Sequence, residues 1–224
     1  MSNWWVAELW AENPILLVSW VAWVIGSIVL HELGHGWAAI RAGDRTPIET
    51  GHMTWNPVVH MGGMSLIVFA VVGIAWGAMP VNPSRFRRRH DDAMVAFAGP
   101  AMNLSLAIVS VLLAVAWGVL TAVASIPDPL GHNVFVFFHL GAMLNVVLFL
   151  FNLAPVPPLD GSRILASFVP PYERFIESEQ GRTVSLIAFL IFFWWGSDYV
   201  FDAGGLAVMF VYEHLAGAVS ALLP

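Results

Sequence analysis

The sequence predicts an all-α polytopic membrane protein. About six apolar segments are expected, with a re-entrant loop, able to contain a β-element, after the first of them. Three observations carry this reading. Of 224 residues, 58% are hydrophobic and 11% charged, with a mean hydropathy of +0.76. That is too apolar for a soluble domain of this size. All nine basic residues are Arg, placed where they can border membrane segments on one side. Finally, His31-Glu32-Leu33-Gly34-His35, an HExxH motif, closes the uncharged apolar run Ile15 to Leu30. Ionisable groups inside a span are costly and mark function by default.

The segments follow in chain order. Residues 1–14 lead in; Glu8 and Glu12 replace the basic start of a cleaved leader, so the first helix is expected to be retained. A first span, 14–40, runs from outside to inside and ends at Arg41. Arg45 and Arg85 both belong inside, yet the apolar stretch 64–79 lies between them. Re-entrance is the economical solution, with 47–63 dipping in and 64–79 returning; the alternative is that 64–79 is an interfacial or half-buried helix. Gly51, Pro57, Gly62 and Gly63 suit non-helical backbone there, which is tolerated at membrane depth only against protein or a water-filled cavity. The Arg85–Arg89 cluster fixes the inner end of the span 93–125 and can touch anionic lipid. Pro127-Asp128-Pro129 reads as a short outer loop, and 133–154 returns inward before Arg163. Segments 183–199 and 203–222, around Asp198 and Asp202, read as a C-terminal hairpin with its tip outside. The whole, 1–224, is expected to be one domain with a core at 14–165 and the hairpin at 183–222.

Composition narrows the chemistry. With no cysteine there is no disulfide and no thiolate ligand. A metal site must use His, Asp, Glu and water. The net charge of −6 offers no basic surface for nucleic acid. On a helix, residues four apart share a face, so His31 and His35 can grip one metal ion together. Glu32 stands one step round, placed to take a proton from a water that the metal acidifies. A third ligand is needed, and a carboxylate suits it. Asp160 ends the run Asn152-Leu153-Ala154-Pro155-Val156-Pro157-Pro158-Leu159-Asp160-Gly161. Three prolines in four positions cannot continue a helix, so the chain should extend there and turn at Asp160-Gly161. Asp160 and His35 both fall near inner span ends, at similar depth.

Three stretches carry a resemblance to the site-2 protease family, the intramembrane zinc metalloproteases of peptidase family M50. They are HELGH at 31–35, FAGPAMN at 97–103 and NLAPVPPLDG at 152–161, within a similar region of roughly 15 to 165. The resemblance implies one zinc ion held by His31, His35 and Asp160, with Glu32 as general base. It also implies substrates that are transmembrane segments of other proteins; composition gives the multi-pass location among membrane lipids, and Arg placement gives an active site toward the cytoplasm. The stretch Trp55 to Gly63 and Pro80-Val81-Asn82-Pro83 look like a compact subgroup without PDZ or CBS domain. Asn103, after Gly99-Pro100, is the expected oxyanion donor; the alternative is that it ties helices together. Asn145 and Asn152 share a helical face and are expected to bond substrate backbone or to join helices. His60 and His52 are candidates for substrate binding or gating, against a purely hydrogen-bonded role in the loop. Two other functions fit some of these residues: a zinc transporter using the same ligands, and an inactive relative. No internal repeat supports the first, and the intact Glu32 opposes the second.

Overall fold

The computed structural model describes residues 4–221. Ten helices follow one another and, among the described residues, no strand forms. Helix α1 spans Trp5–Glu12, α2 Pro14–Ala42, α3 Thr46–Glu49, α4 Pro57–Val72, α5 Asp91–Ala124 and α6 Leu130–Asn152. Then come α7 Asp160–Phe168, α8 Pro170–Glu177, α9 Glu179–Ile191 and α10 Ser197–Ser220. Four stretches are long and apolar enough to cross a membrane: 14–42, 91–124, 130–152 and 179–220. The shorter apolar helix is α4.

Helix α2 starts where Asn13 accepts hydrogen bonds from the Ile15 and Leu16 N–H groups ahead of Pro14, and stops at Gly43, whose φ of +108° only glycine adopts readily. It packs on α5 through Gly34, where a Cβ would stand 2.8 Å from the Ala98 carbonyl oxygen. It packs on α6 through Trp23, whose indole N–H donates to the Phe137 carbonyl at 2.8 Å. Helices α2, α5 and α6 form the central bundle.

Between α2 and α5 the chain leaves and returns to one place. The Arg87 N–H donates to the Ala42 carbonyl at 3.1 Å. Asp44, fully buried, accepts from the Thr46 N–H (2.9 Å), the Thr46 hydroxyl (2.5 Å) and the Asn82 N–H (2.6 Å). Burial alone would raise the Asp44 carboxyl, but these donors and the nearby Arg85 charge hold it below its usual range. Arg85 also pairs with Glu49 at 2.7 Å.

Four expectations need correction. The non-helical backbone of this excursion lies at 74–82 rather than throughout 47–63. Residues 57–72 are helical with a break at Gly62 (φ 67°), and 74–82 then runs with neither helix nor strand, held by α4. The Ser65 hydroxyl donates to the Trp76 carbonyl (2.7 Å) and accepts its N–H (2.9 Å); the Ala78 N–H donates to the His60 carbonyl (2.9 Å). Residues 153–159 form bends and turns instead of an extended run, because the Val156 and Leu159 N–H groups close onto the Ala154 and Val156 carbonyls. Asp160 opens a helix instead of a turn. The C-terminal hairpin is absent: residues 179–220 run as one helical stretch with a wider π-turn at Phe192–Gly196. No proline or left-handed glycine interrupts it, Asp198 and Asp202 remain exposed on its surface, and Gly204 packs against Val147. Leu222, the last residue of that expected segment, lies outside the described residues.

Candidate metal centre

Helix α2 places His31 and His35 one turn apart on one face, both buried, with their Nε2 atoms 2.9 Å from each other. Helix α7 begins at Asp160 and brings its Oδ2 to 3.1 Å from His31 Nε2 and 3.3 Å from His35 Nε2. Two features hold α7 there. Arg163 donates to Asp92 of α5 at 2.5 Å, and Gly161 sits where a Cβ would collide with the Leu153 and Ala154 carbonyls. Only glycine lets the proline-rich turn close this tightly.

The protonation of both imidazoles is fixed by their other nitrogen. His35 Nδ1 donates to the Val95 carbonyl at 2.7 Å, which can only accept. Val95 lies in the turn before Pro100; that proline has no N–H to give Ala96 and its ring crowds the carbonyls of the turn. His31 Nδ1 bonds Asn103 Oδ1 at 2.6 Å. The orientation of Asn103 is set in turn: its Nδ2 donates to Asn145 Oδ1 (3.0 Å), and Asn145 Nδ2 donates to the Gly141 carbonyl (2.9 Å). Starting from a backbone carbonyl, this chain assigns each amide and puts the His31 proton on Nδ1.

Both Nε2 atoms therefore present lone pairs, and so does Asp160 Oδ2, a buried oxygen with no hydrogen-bond partner. Three lone pairs facing one another without a shared proton repel, unless a cation lies among them. In a tetrahedral zinc site with bonds of about 2.0–2.2 Å, ligand atoms stand roughly 3.3 Å apart. The observed separations of 2.9, 3.1 and 3.3 Å fit that cage. His31, His35 and Asp160 thus form a group able to hold a metal ion. Three protein ligands, one fewer than a closed structural site, is the catalytic pattern.

Glu32, beside His31 and buried, lies under the extended segment: a Cβ on Gly77 would stand 2.6 Å from Glu32 Oε1 and 2.7 Å from Ile28 Cγ2. Gly99 roofs the histidines, and a Cβ there would strike both Nε2 atoms. The importance of Gly77 was not readable from the chain, since it lies in a stretch, 64–79, that reads only as apolar. Gly99 was visible only as part of the GPxxN stretch.

The other expected site residues fall elsewhere. Asn103 is fully buried with its oxygen on His31, so it touches a ligand rather than open space. Asn145 is equally buried and reaches Asn103; Asn152 bonds its own helix at the Leu148 carbonyl. The His60 ring bonds the Thr54 carbonyl (2.7 Å), and His52 bonds Thr50. Both close the loop before α4.

The model of peptidase family M50 matches residues 19–130 and 120–195. YwhC of Bacillus subtilis (strain 168), named as a candidate zinc metalloprotease, is 37% identical over 185 residues, 80% of each chain. Rip2 of Mycolicibacterium smegmatis, named likewise, is 31% identical over 65% of this chain and 55% of its own length. MJ0611 of Methanocaldococcus jannaschii is 28% identical over 67% of this chain and 70% of its own. No solved structure gives a significant match. On the strength of a family match that runs from the histidine-bearing helix past Asp160, this chain belongs to peptidase family M50, the site-2 protease family, and is a multi-pass membrane metalloprotease.

Proposed function

We propose that the protein hydrolyses peptide bonds within or beside transmembrane segments of other proteins, as in regulated intramembrane proteolysis. One observation carries this. His31 and His35 lie eleven and seven residues before the end of α2 at Ala42, or about 16 and 10 Å down the helix at 1.5 Å per residue. A hydrocarbon core is only about 30 Å thick. The ligand set therefore belongs at hydrocarbon depth, where the scissile bond must come to it.

His31, His35 and Asp160 would hold one zinc ion, which would supply Lewis-acid polarisation and lower the pKa of a water toward about 7. Glu32 takes the proton of the attacking water and passes it to the leaving amine. Asn103 and Asn145 position His31 through its Nδ1. A helical substrate must unwind before attack, and the segment 74–79 suits an unwound chain. Trp76 and Ala78 turn their backbone groups toward α4, whereas the Ala75, Gly77 and Met79 N–H groups make no hydrogen bond among the described residues. Alternate residues of an extended chain face opposite sides, so a substrate strand can pair along the free edge beside Glu32. The excursion 44–86 enters and leaves at one membrane face, which supports re-entrance. Arg41, Arg87, Arg88, Arg89 and Arg163 near that face support a cytoplasmic side for it and for the site.

The test is cleavage of a synthetic transmembrane peptide by the purified chain in detergent or liposomes. Activity should vanish with a zinc chelator, return with zinc, and be lost in Glu32→Gln while zinc stays bound. Chelator-resistant cleavage, or a fully active Glu32→Gln, refutes the assignment. Labelling of single cysteines introduced at positions 45 and 89 tests the side.

A further inference from the structure

A groove of about 610 Å³ opens on the outer side of α2 and α5, away from the ligand cage. Gly34, Trp37, Ala38, Arg41 and Ala42 line one wall, a single helical stripe of α2. The facing stripe of α5 runs from Asp91 through Met94, Phe97, Ala98, Ala101 and Met102 to Ser105. The floor is small, because α2 and α5 touch at Gly34 and Ala98. The rims are large and exposed: Trp37 at 44%, Met94 at 63% and Phe97 at 45%.

Charged chemistry is confined to one end, and the Ser105 hydroxyl at the other is spent on the Ala101 carbonyl. Arg41, Arg87 and Arg88 line the charged end, all exposed, and none has a carboxylate or hydrogen-bond acceptor for its guanidinium among the described residues. The acidic neighbours are engaged. Asp91 is buried and its Oδ2 accepts the Arg87 and Arg88 N–H groups (3.1 and 2.8 Å), Asp92 pairs with Arg163, and Glu49 with Arg85. Asp91 thus ties the backbone so that the two guanidinium groups are presented outward.

We infer that this groove is a binding site for an anionic glycerophospholipid, its phosphate on Arg41, Arg87 and Arg88 and an acyl chain along the crease to Ser105. Length selects this occupant. Ser105 lies fourteen positions beyond Asp91, about 21 Å along the helix at 1.5 Å per residue. Half of a bilayer with its headgroup region is roughly 20–22 Å. A partner's transmembrane helix would need the full thickness, and the groove ends well before α5 does at Ala124. Three guanidinium groups around one phosphate supply the charge match.

The purified full chain is to be exchanged from detergent into nanodiscs of phosphatidylcholine with phosphatidylglycerol, and the lipid retained on extraction counted by native mass spectrometry. Phosphatidylglycerol should be retained about tenfold over phosphatidylcholine. Arg41→Gln/Arg87→Gln/Arg88→Gln should abolish the preference, and Arg174→Gln/Arg182→Gln should keep it. Ala101→Trp leaves every charge in place but fills the crease, and should also displace the lipid. Preference unchanged by the triple variant overturns the site. Preference lost equally in the Arg174/Arg182 variant shows general surface attraction and overturns it too. Retention unaffected by Ala101→Trp, or stripping of the lipid by millimolar inorganic phosphate, shows a headgroup-only anion contact and refutes the groove. Cross-linking of a transmembrane peptide to an introduced Cys at 101, with no lipid retained, gives the groove to a protein partner instead.

Discussion

Replacing Asn103 with Leu removes the acceptor for the His31 Nδ1–H, 2.6 Å away at a fully buried amide. A buried donor left unpaired costs about 1–3 kcal/mol. The proton can then move to Nε2 or the ring can rotate, and either change removes a metal-binding lone pair. At about 1.4 kcal/mol per tenfold, a loss of 1.4–2.8 kcal/mol means roughly 10- to 100-fold weaker zinc binding, the usual range for a lost ligand partner. Asn145→Leu acts one bond further out. It frees the Asn103 amide to flip and offer N–H to His31, so the expected loss is smaller, up to about tenfold. Asn103→Asp keeps an acceptor on His31 Nδ1, so zinc affinity should stay near that of the parent even if thermal stability falls. The assay is zinc competition against a chromophoric chelator in detergent, read beside thermal unfolding of each variant. If Asn103→Leu and Asn103→Asp lose zinc affinity equally, the acceptor is not what matters and the tautomer argument fails. Combining Asn103→Leu with Asn145→Leu should add little to Asn103→Leu alone, because one chain of bonds is already broken.

Gly77→Val puts a side chain into Glu32 Oε1 and Ile28; turnover should fall at least about tenfold with zinc content unchanged, measured by peptide cleavage and metal analysis, and full activity would show that 74–79 does not lie over Glu32. Asp160→Asn should lower zinc affinity; metal content that survives it removes Asp160 from the ligand set. The Asp44 carboxyl is depressed in the folded protein, so its contribution to stability is complete above its unfolded pKa of about 3.9 and is lost as pH falls through the lower folded value. Hydrogen exchange at Thr46 and Asn82 should therefore rise below about pH 4 in the parent. In Asp44→Asn it should already be raised at neutral pH, and identical profiles would refute the clasp.

Period and composition determined much of this protein. Spans α2, α5 and α6 stand within a few residues of where apolar length and Arg placement put them. The HExxH spacing needs only a helix to bring two imidazoles to one face, and a helix is what any apolar run must form in lipid, where backbone groups have no water to bond. Asp160 was legible because it shares a span end with His35. What lies between regular elements was not legible, because it depends on contacts between residues far apart in sequence. Whether 74–82 pairs with a strand or hangs on Ser65 and His60 is decided by α4, not by its own residues. Asn103 reads as a free amide until α6 brings Asn145 against it. The contact of Gly204 with Val147 that seats the last helix on α6 is likewise hidden, since neither residue signals the other along the chain. Tertiary packing settled these points because a short polar side chain or a glycine takes its meaning from the atom that faces it.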